Sequence, residues 1–248
     1  MITLDTRMLK TPGKIPLIIP NSKPLLAHGI ALEWSHLRSA ADAQKSFRVP
    51  LTQLASRATD MAAQEMRNDF QRRSEAAPSL ARYLDTDTVL CWAPSTPAHL
   101  REPDRPQLRD LQLASAKPLL DYLTTRLWPG LEFRVVDGDV AGISGRGQPA
   151  ATRDALLSWM RALDAWKFVG FERVVHATKS FVIGARLVDE WAEHGDGLWG
   201  VEEAAQAASI EVSYQTSQWG EVEDTHDVEK KDLWRQLGAG WLMMLGEV

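Results

Sequence analysis

With one cysteine, three tyrosines and six histidines among 248 residues, this sequence has few of the side chains that build covalent frameworks and metal centres. Cys91 alone cannot close an internal disulfide, which excludes the disulfide-stapled secreted class and favours a reducing compartment. No apolar run approaches the roughly 18 residues that a membrane-spanning helix needs, so membrane insertion is not expected. No charged-then-apolar leader stands at the N-terminus. Met1 leads straight into the strand-like run Ile2-Thr3-Leu4, and a targeting extension rich in Arg and Ser is expected to precede it in the precursor. Positive charge is also scarce. The 28 Lys and Arg against 33 Asp and Glu give a net charge of −5, without the broad cationic field that neutralises phosphates, so nucleic acid and membrane surfaces are not expected as primary partners.

Chemistry-bearing motifs are equally sparse. The histidines are scattered singly and no H-E-x-x-H occurs. Asp224, His226 and Asp227 are close in sequence, but they precede the last expected helix, where acidic residues complement the N-terminal dipole. No Walker loop is present. Ser144 fails as a nucleophile elbow because Arg146 stands where the second glycine belongs. Gly145-x-Gly147-x-x-Ala150 fits a loose dinucleotide pattern, yet Pro149 removes an amide and no run of parallel βαβ units surrounds it. No nucleotide hydrolysis, cofactor or metal is expected.

What remains is an ordinary folded composition, 44% apolar and 25% charged, with ten tryptophans spread along the chain. Most tryptophans in any protein fill its core, and the remainder tend to anchor interfaces. Apolar runs at 2–4, 8–10 and 17–19 read as a small β-meander. Pro24 and Pro50 each open a helix, the first expected to run to about Ala43 and the second to stop before Pro78. Residues 88–92 form a short β-type run, 108–126 a helix kinked at Pro118, and 131–136 an alternating run ending at Asp137-Gly138. From Pro149 onward all reads as helix, with turns near Gly170, Gly195 to Gly200 and Trp219-Gly220. The expected class is therefore α+β: a β-rich N-terminal part with some helices over 1–148, then an all-α part over 149–248.

One constellation stands out. Ala204, Ala208, Glu211, Gln215 and Trp219 recur at helical spacing along one face that ends at Gly220. Small side chains allow close packing, the carboxylate and amide supply directional hydrogen bonds, and the indole offers a large apolar anchor. The pattern fits either an interface or a buried polar cluster.

Several ordered segments together resemble a known family: Glu33-Trp34, Val49-Pro50-Leu51-Thr52-Gln53-Leu54 with Asp60, Tyr83-Leu84-Asp85-Thr86-Asp87 with Cys91, and Glu211-x-x-x-Gln215-x-x-x-Trp219-Gly220. With the opening run Leu4-Asp5 to Thr11-Pro12 they span nearly the whole chain. The family is the mitochondrial ATP synthase alpha-subunit assembly chaperones, also called ATP synthase assembly factor two. The resemblance implies a two-part fold and a non-enzymatic role. Such a chaperone binds the unassembled alpha subunit of the soluble head in the mitochondrial matrix, prevents its aggregation and yields it to the beta subunit. It also implies client-binding roles for Glu211, Gln215, Trp219, Gly220 and Trp34. Where bacterial relatives show Asp-Glu this chain has Ile210-Glu211, so only Glu211 carries over, and Trp92 stands where many relatives have tyrosine. The alternative reading is a small-molecule or nucleotide-binding enzyme that uses the Gly145 loop.

Overall fold

Apolar residues at helical spacing decide this architecture. The computed structural model describes residues 2–4, 7–39, 41–101, 105–140, 147–193, 197–222 and 224–245. Among them α1 (Pro24–Ser35), α2 (Pro50–Glu65), α3 (Gln71–Ala81) and α4 (Leu108–Tyr122) precede residue 148. After it come α5 (Ala150–Ala162), α6 (Ala165–Thr178), α7 (Phe181–Val188), α8 (Val201–Ala208), α9 (Ile210–Trp219) and α10 (His226–Met244). Pro24 and Pro50 sit in the first turns of their helices, where a missing N–H costs nothing. Leu51, Leu54, Ala55, Ala58 and Met61 give α2 one buried face.

α6 is apolar nearly all round, with Phe168, Val169, Phe171, Val174 and Val175 buried, and it packs against α2, α7 and α10. One cluster of buried apolar side chains runs from Leu17 to Met244 and crosses residue 148. Arg73 of α3 crosses the same line. It is buried, grips Glu65 at 2.7 Å, donates to the Met160 carbonyl at 2.9 Å and lies 4.6 Å from the centre of the Phe168 ring.

The expected β-rich N-terminal part is not what forms, and the fold is predominantly α-helical on both sides of residue 148. The described strands hold two residues each: β1 (Thr3–Leu4) pairs antiparallel with β2 (Arg7–Met8), and β3 (Cys91–Trp92) pairs parallel with β4 (Val136–Asp137). The three apolar runs do lie side by side, since Leu9 N–H donates to Ile2 and Leu17 N–H to Leu9. Pro12, Pro16 and Pro20 cannot donate to a ladder, however, and the segment serves as an apolar cover that buries Leu17 and Ile19 and leaves Ile18 exposed. Asp60 of α2 holds it down by accepting from the Thr11 hydroxyl and from Gly13 N–H at 3.1 Å.

Two helix boundaries also differ from expectation. α1 stops at Ser35, and single 3₁₀ turns follow at Asp42–Gln44 and Ser46–Arg48. α2 stops at Glu65, before Pro78 as expected; the break lies near Asn68, which has a positive φ, and Pro78 falls inside α3. Gly170 is no turn. It sits in mid-α6 where α10 crosses, and a Cβ there would meet the Gly240 carbonyl oxygen at 2.6 Å. The true breaks lie at Asp164, which accepts from Trp166 and Lys167 N–H, and at Ser180, which accepts from Ile183 N–H.

The start of α1 meets the end of α10. Lys23, buried just ahead of α1, donates from Nζ to the carbonyls of Met243 at 2.9 Å and Leu245 at 2.6 Å, the last acceptors of α10. Burial lowers its pKa from the usual lysine value.

Candidate functional site

α9 buries none of its residues, although both of its neighbours in sequence are packed. It is a continuation of α8 after a one-residue break at Ser209, so the expected single helical face divides in two. Ala204 is buried and Ala208 is half-buried, while Glu211, Gln215 and Trp219 face solvent beyond the break. Gln215 Nε2 donates to Glu211 Oε1 at 3.3 Å, one turn apart. Trp219 is 79% exposed and Gly220, with a φ of 85°, ends the helix in a conformation that a side chain would strain.

Clefts flank α9. The largest, about 960 Å³, runs between it and α4 and is walled by Leu111, Pro118 and Leu119 on one side and by Gln206, Ile210 and Tyr214 on the other. A smaller one of about 240 Å³ brings Glu211 and Gln215 up to Thr88, Val89 and Gln112. A third, about 470 Å³, lies towards α10 and contains Val212 and Trp234. Val212, Trp219, Val222, Val228 and Trp234 are all exposed, which concentrates apolar surface on this side of the molecule. The other eight tryptophans pack against the core.

A polar cluster that sequence reasoning missed fixes the segment leading into α8. The Arg186 guanidinium lies 3.6 Å from the centre of the Tyr122 ring, 5.4 Å from that of Trp199, and pairs with Glu190. Glu190, itself buried, accepts from Leu198 N–H at 2.8 Å, and Trp191 Nε1 donates to the Trp199 carbonyl at 2.8 Å. Tyr122 donates to Asp189, and burial together with that bond pushes the phenol up to about 12. Its members lie up to 77 residues apart (Tyr122 to Trp199), so no local pattern could have shown it.

Of the five residues expected to bind a client, the structure brings four together, Glu211, Gln215, Trp219 and Gly220. Trp34 lines a different cleft, with Leu17, Thr52 and Arg57, and its Nε1 donates to Thr52 Oγ1 at 3.0 Å. The Gly145 loop falls mainly on 141–146, outside the described residues. His226 Nδ1 accepts from Val222 N–H at 3.0 Å, and among the described residues no three His, Cys, Asp or Glu side chains gather as a metal site would require. Among them, too, no helix is long and apolar enough to cross a membrane.

The chain is similar to Atp12 from Paracoccus denitrificans, with a TM-score of 0.71 at 22% identity over 98% of this chain and 89% of that one. It is similar also to Atu1473 from Agrobacterium tumefaciens, with a TM-score of 0.70 at 21% identity over 98% and 78%. At this identity the likeness speaks for the fold alone. In sequence it is 32% identical over 245 residues to the mitochondrial protein atp12 of Schizosaccharomyces pombe, covering 98% of this chain and 76% of that one. It is 31% identical over 252 residues to the mitochondrial ATP12 of Saccharomyces cerevisiae, covering 95% and 75%. A family profile described as ATP12 chaperone protein matches residues 1–124. The chain therefore belongs to the ATP12 chaperone family, the ATP synthase assembly chaperones that its sequence resembles.

Proposed function

We propose that this chain binds the unassembled alpha subunit of the ATP synthase head, keeps it from aggregating and hands it to the beta subunit, working in the mitochondrial matrix by binding and not by catalysis. The observation that carries the reading is α9: a helix with no buried residue, exposing Trp219 and the Glu211–Gln215 pair, with an open cleft along its Ile210, Ser213 and Tyr214. A helix placed this way costs apolar exposure in the free protein, which a partner's surface would relieve. A subunit destined for an alternating ring has large apolar interfaces that aggregate while unpartnered. Release needs no nucleotide, because a larger obligate interface displaces a smaller transient one by mass action. The mitochondrial names of the relatives support the compartment.

The test is capture of purified alpha subunit, read beside suppression of its aggregation on warming. Capture by the wild-type chain and its loss in Glu211→Lys, with an unchanged melting temperature, is the expected result. Equal protection of unrelated aggregating proteins would instead mark a general holdase, and a collapse of melting temperature in Glu211→Lys would make that residue structural.

A further inference from the structure

Gln53 stands between two clefts on the face built by α2, α6 and α10. One, about 530 Å³, has Leu17, Trp34 and Arg57 in its walls, and the other, about 200 Å³, has Phe47, Arg173 and Arg235. The Gln53 side chain is exposed and meets no hydrogen-bonding partner among the described residues. Its neighbours are positively charged. Arg57 is held by Glu172 at 2.7 Å, and Arg235 by Asp232 and the Phe47 carbonyl. Arg173 has only the Gln236 carboxamide oxygen, at 3.4 Å, and no carboxylate within ion-pair distance among the described residues. Burial first, and then Arg57 nearby, lower its pKa from the ordinary arginine value, while Glu172 and Asp232 act the other way. Lys10 and Arg72 add to the same face, and Asp60 is turned inward onto Thr11 and Gly13. The stretch 202–229, by contrast, contains no Lys or Arg at all. The residues lining the two clefts include Lys10, Arg57, Arg72, Arg173 and Arg235 against Asp60 and Asp232.

We propose that the paired clefts flanking Gln53 are a second docking surface, one that takes an acidic, partly apolar peptide segment of a partner protein. Guanidinium forks match carboxylates. The Gln53 carboxamide can both donate to and accept from a peptide backbone, and Trp34 and Phe47 supply apolar walls for the side chains between the acids. Those apolar walls favour a peptide with apolar side chains over a nucleic acid, whose binding draws on a broad cationic field. This surface stands apart from α9 and does not depend on what α9 binds.

The test is fluorescence anisotropy with a labelled peptide alternating Glu and Leu, repeated with Gln in place of Glu and with a labelled oligothymidylate. The acidic peptide should bind, its affinity should fall with added salt, and Gln53→Glu or Arg173→Gln should weaken it about tenfold or more, with Glu211→Lys leaving it unchanged. Should Arg173→Gln lower the melting temperature, Gln53→Glu decides alone, because that side chain is exposed. Absence of binding, equal affinity for the Gln peptide, indifference to Gln53→Glu, or preference for the oligonucleotide would each overturn the proposal.

Discussion

Glu33 of α1 accepts a hydrogen bond from Leu51 N–H at 2.6 Å, so the carboxylate of one helix caps the first turn of the next. Its second oxygen takes Thr52 N–H at 3.0 Å and the Thr52 hydroxyl at 2.9 Å, and that hydroxyl in turn accepts from Trp34. Two segments that carry the family resemblance are thus one device, a cap supplied from a distance. Glu33→Ala leaves two amides at the start of α2 without partners and is expected to cost about 1–3 kcal/mol, read from the urea midpoint at constant m-value.

Asp87 does similar work at greater depth. Fully buried, it accepts from Val89 N–H at 2.9 Å and Val182 N–H at 3.1 Å, and burial outweighs these bonds and raises it to about 6. A folded pKa above the unfolded one means that the contribution is complete below about pH 4 and is lost as pH rises through about 6. The stability of the wild-type chain minus that of Asp87→Asn should therefore fall between those values, by up to about 3 kcal/mol, in denaturation curves recorded across the range.

Two glycines should respond oppositely to alanine. Gly170→Ala drives a methyl onto the Gly240 carbonyl at the α6–α10 crossing and should destabilise by about 1–3 kcal/mol. Gly238→Ala, in mid-α10 with nothing within 4 Å of the added atom, should stabilise by about 0.5–1 kcal/mol. Thermal melting of the two variants checks both signs.

Trp219→Ser removes a side chain that the free protein leaves to solvent. Stability should stay within about 0.5 kcal/mol, while alpha-subunit capture should weaken by about thirtyfold, the loss of one interfacial anchor worth about 2 kcal/mol. Titration of both proteins against the same client preparation measures it.

The helical face from Glu211 to Gly220 was legible because periodicity and a terminal glycine are local signals. The break at Ser209 was not, since one residue between helices leaves the spacing of three and four intact. Gly170 misled because a glycine needed for close packing and one needed for a turn look alike, and its partner Gly240 lies 70 residues away. The N-terminal run misled for another reason: alternation marks a segment with one buried face, and here helices, not further strands, supply the cover. Glu33, Asp60 and Asp87 were visible as family residues, but, the nearby Val89 amide apart, the groups they hold lie 18 to 95 residues away, so their structural work was hidden.

The Lys23 tie to Met243 and Leu245 sets a timetable for synthesis. Its donor leaves the ribosome more than two hundred residues before its acceptors, and through that interval a lysine destined for burial must stay in water, with the apolar face of α1 uncovered beside it. The native core can close only once the segment holding those two carbonyls has emerged, so until then this chaperone is itself an unfinished chain with apolar surface to shield.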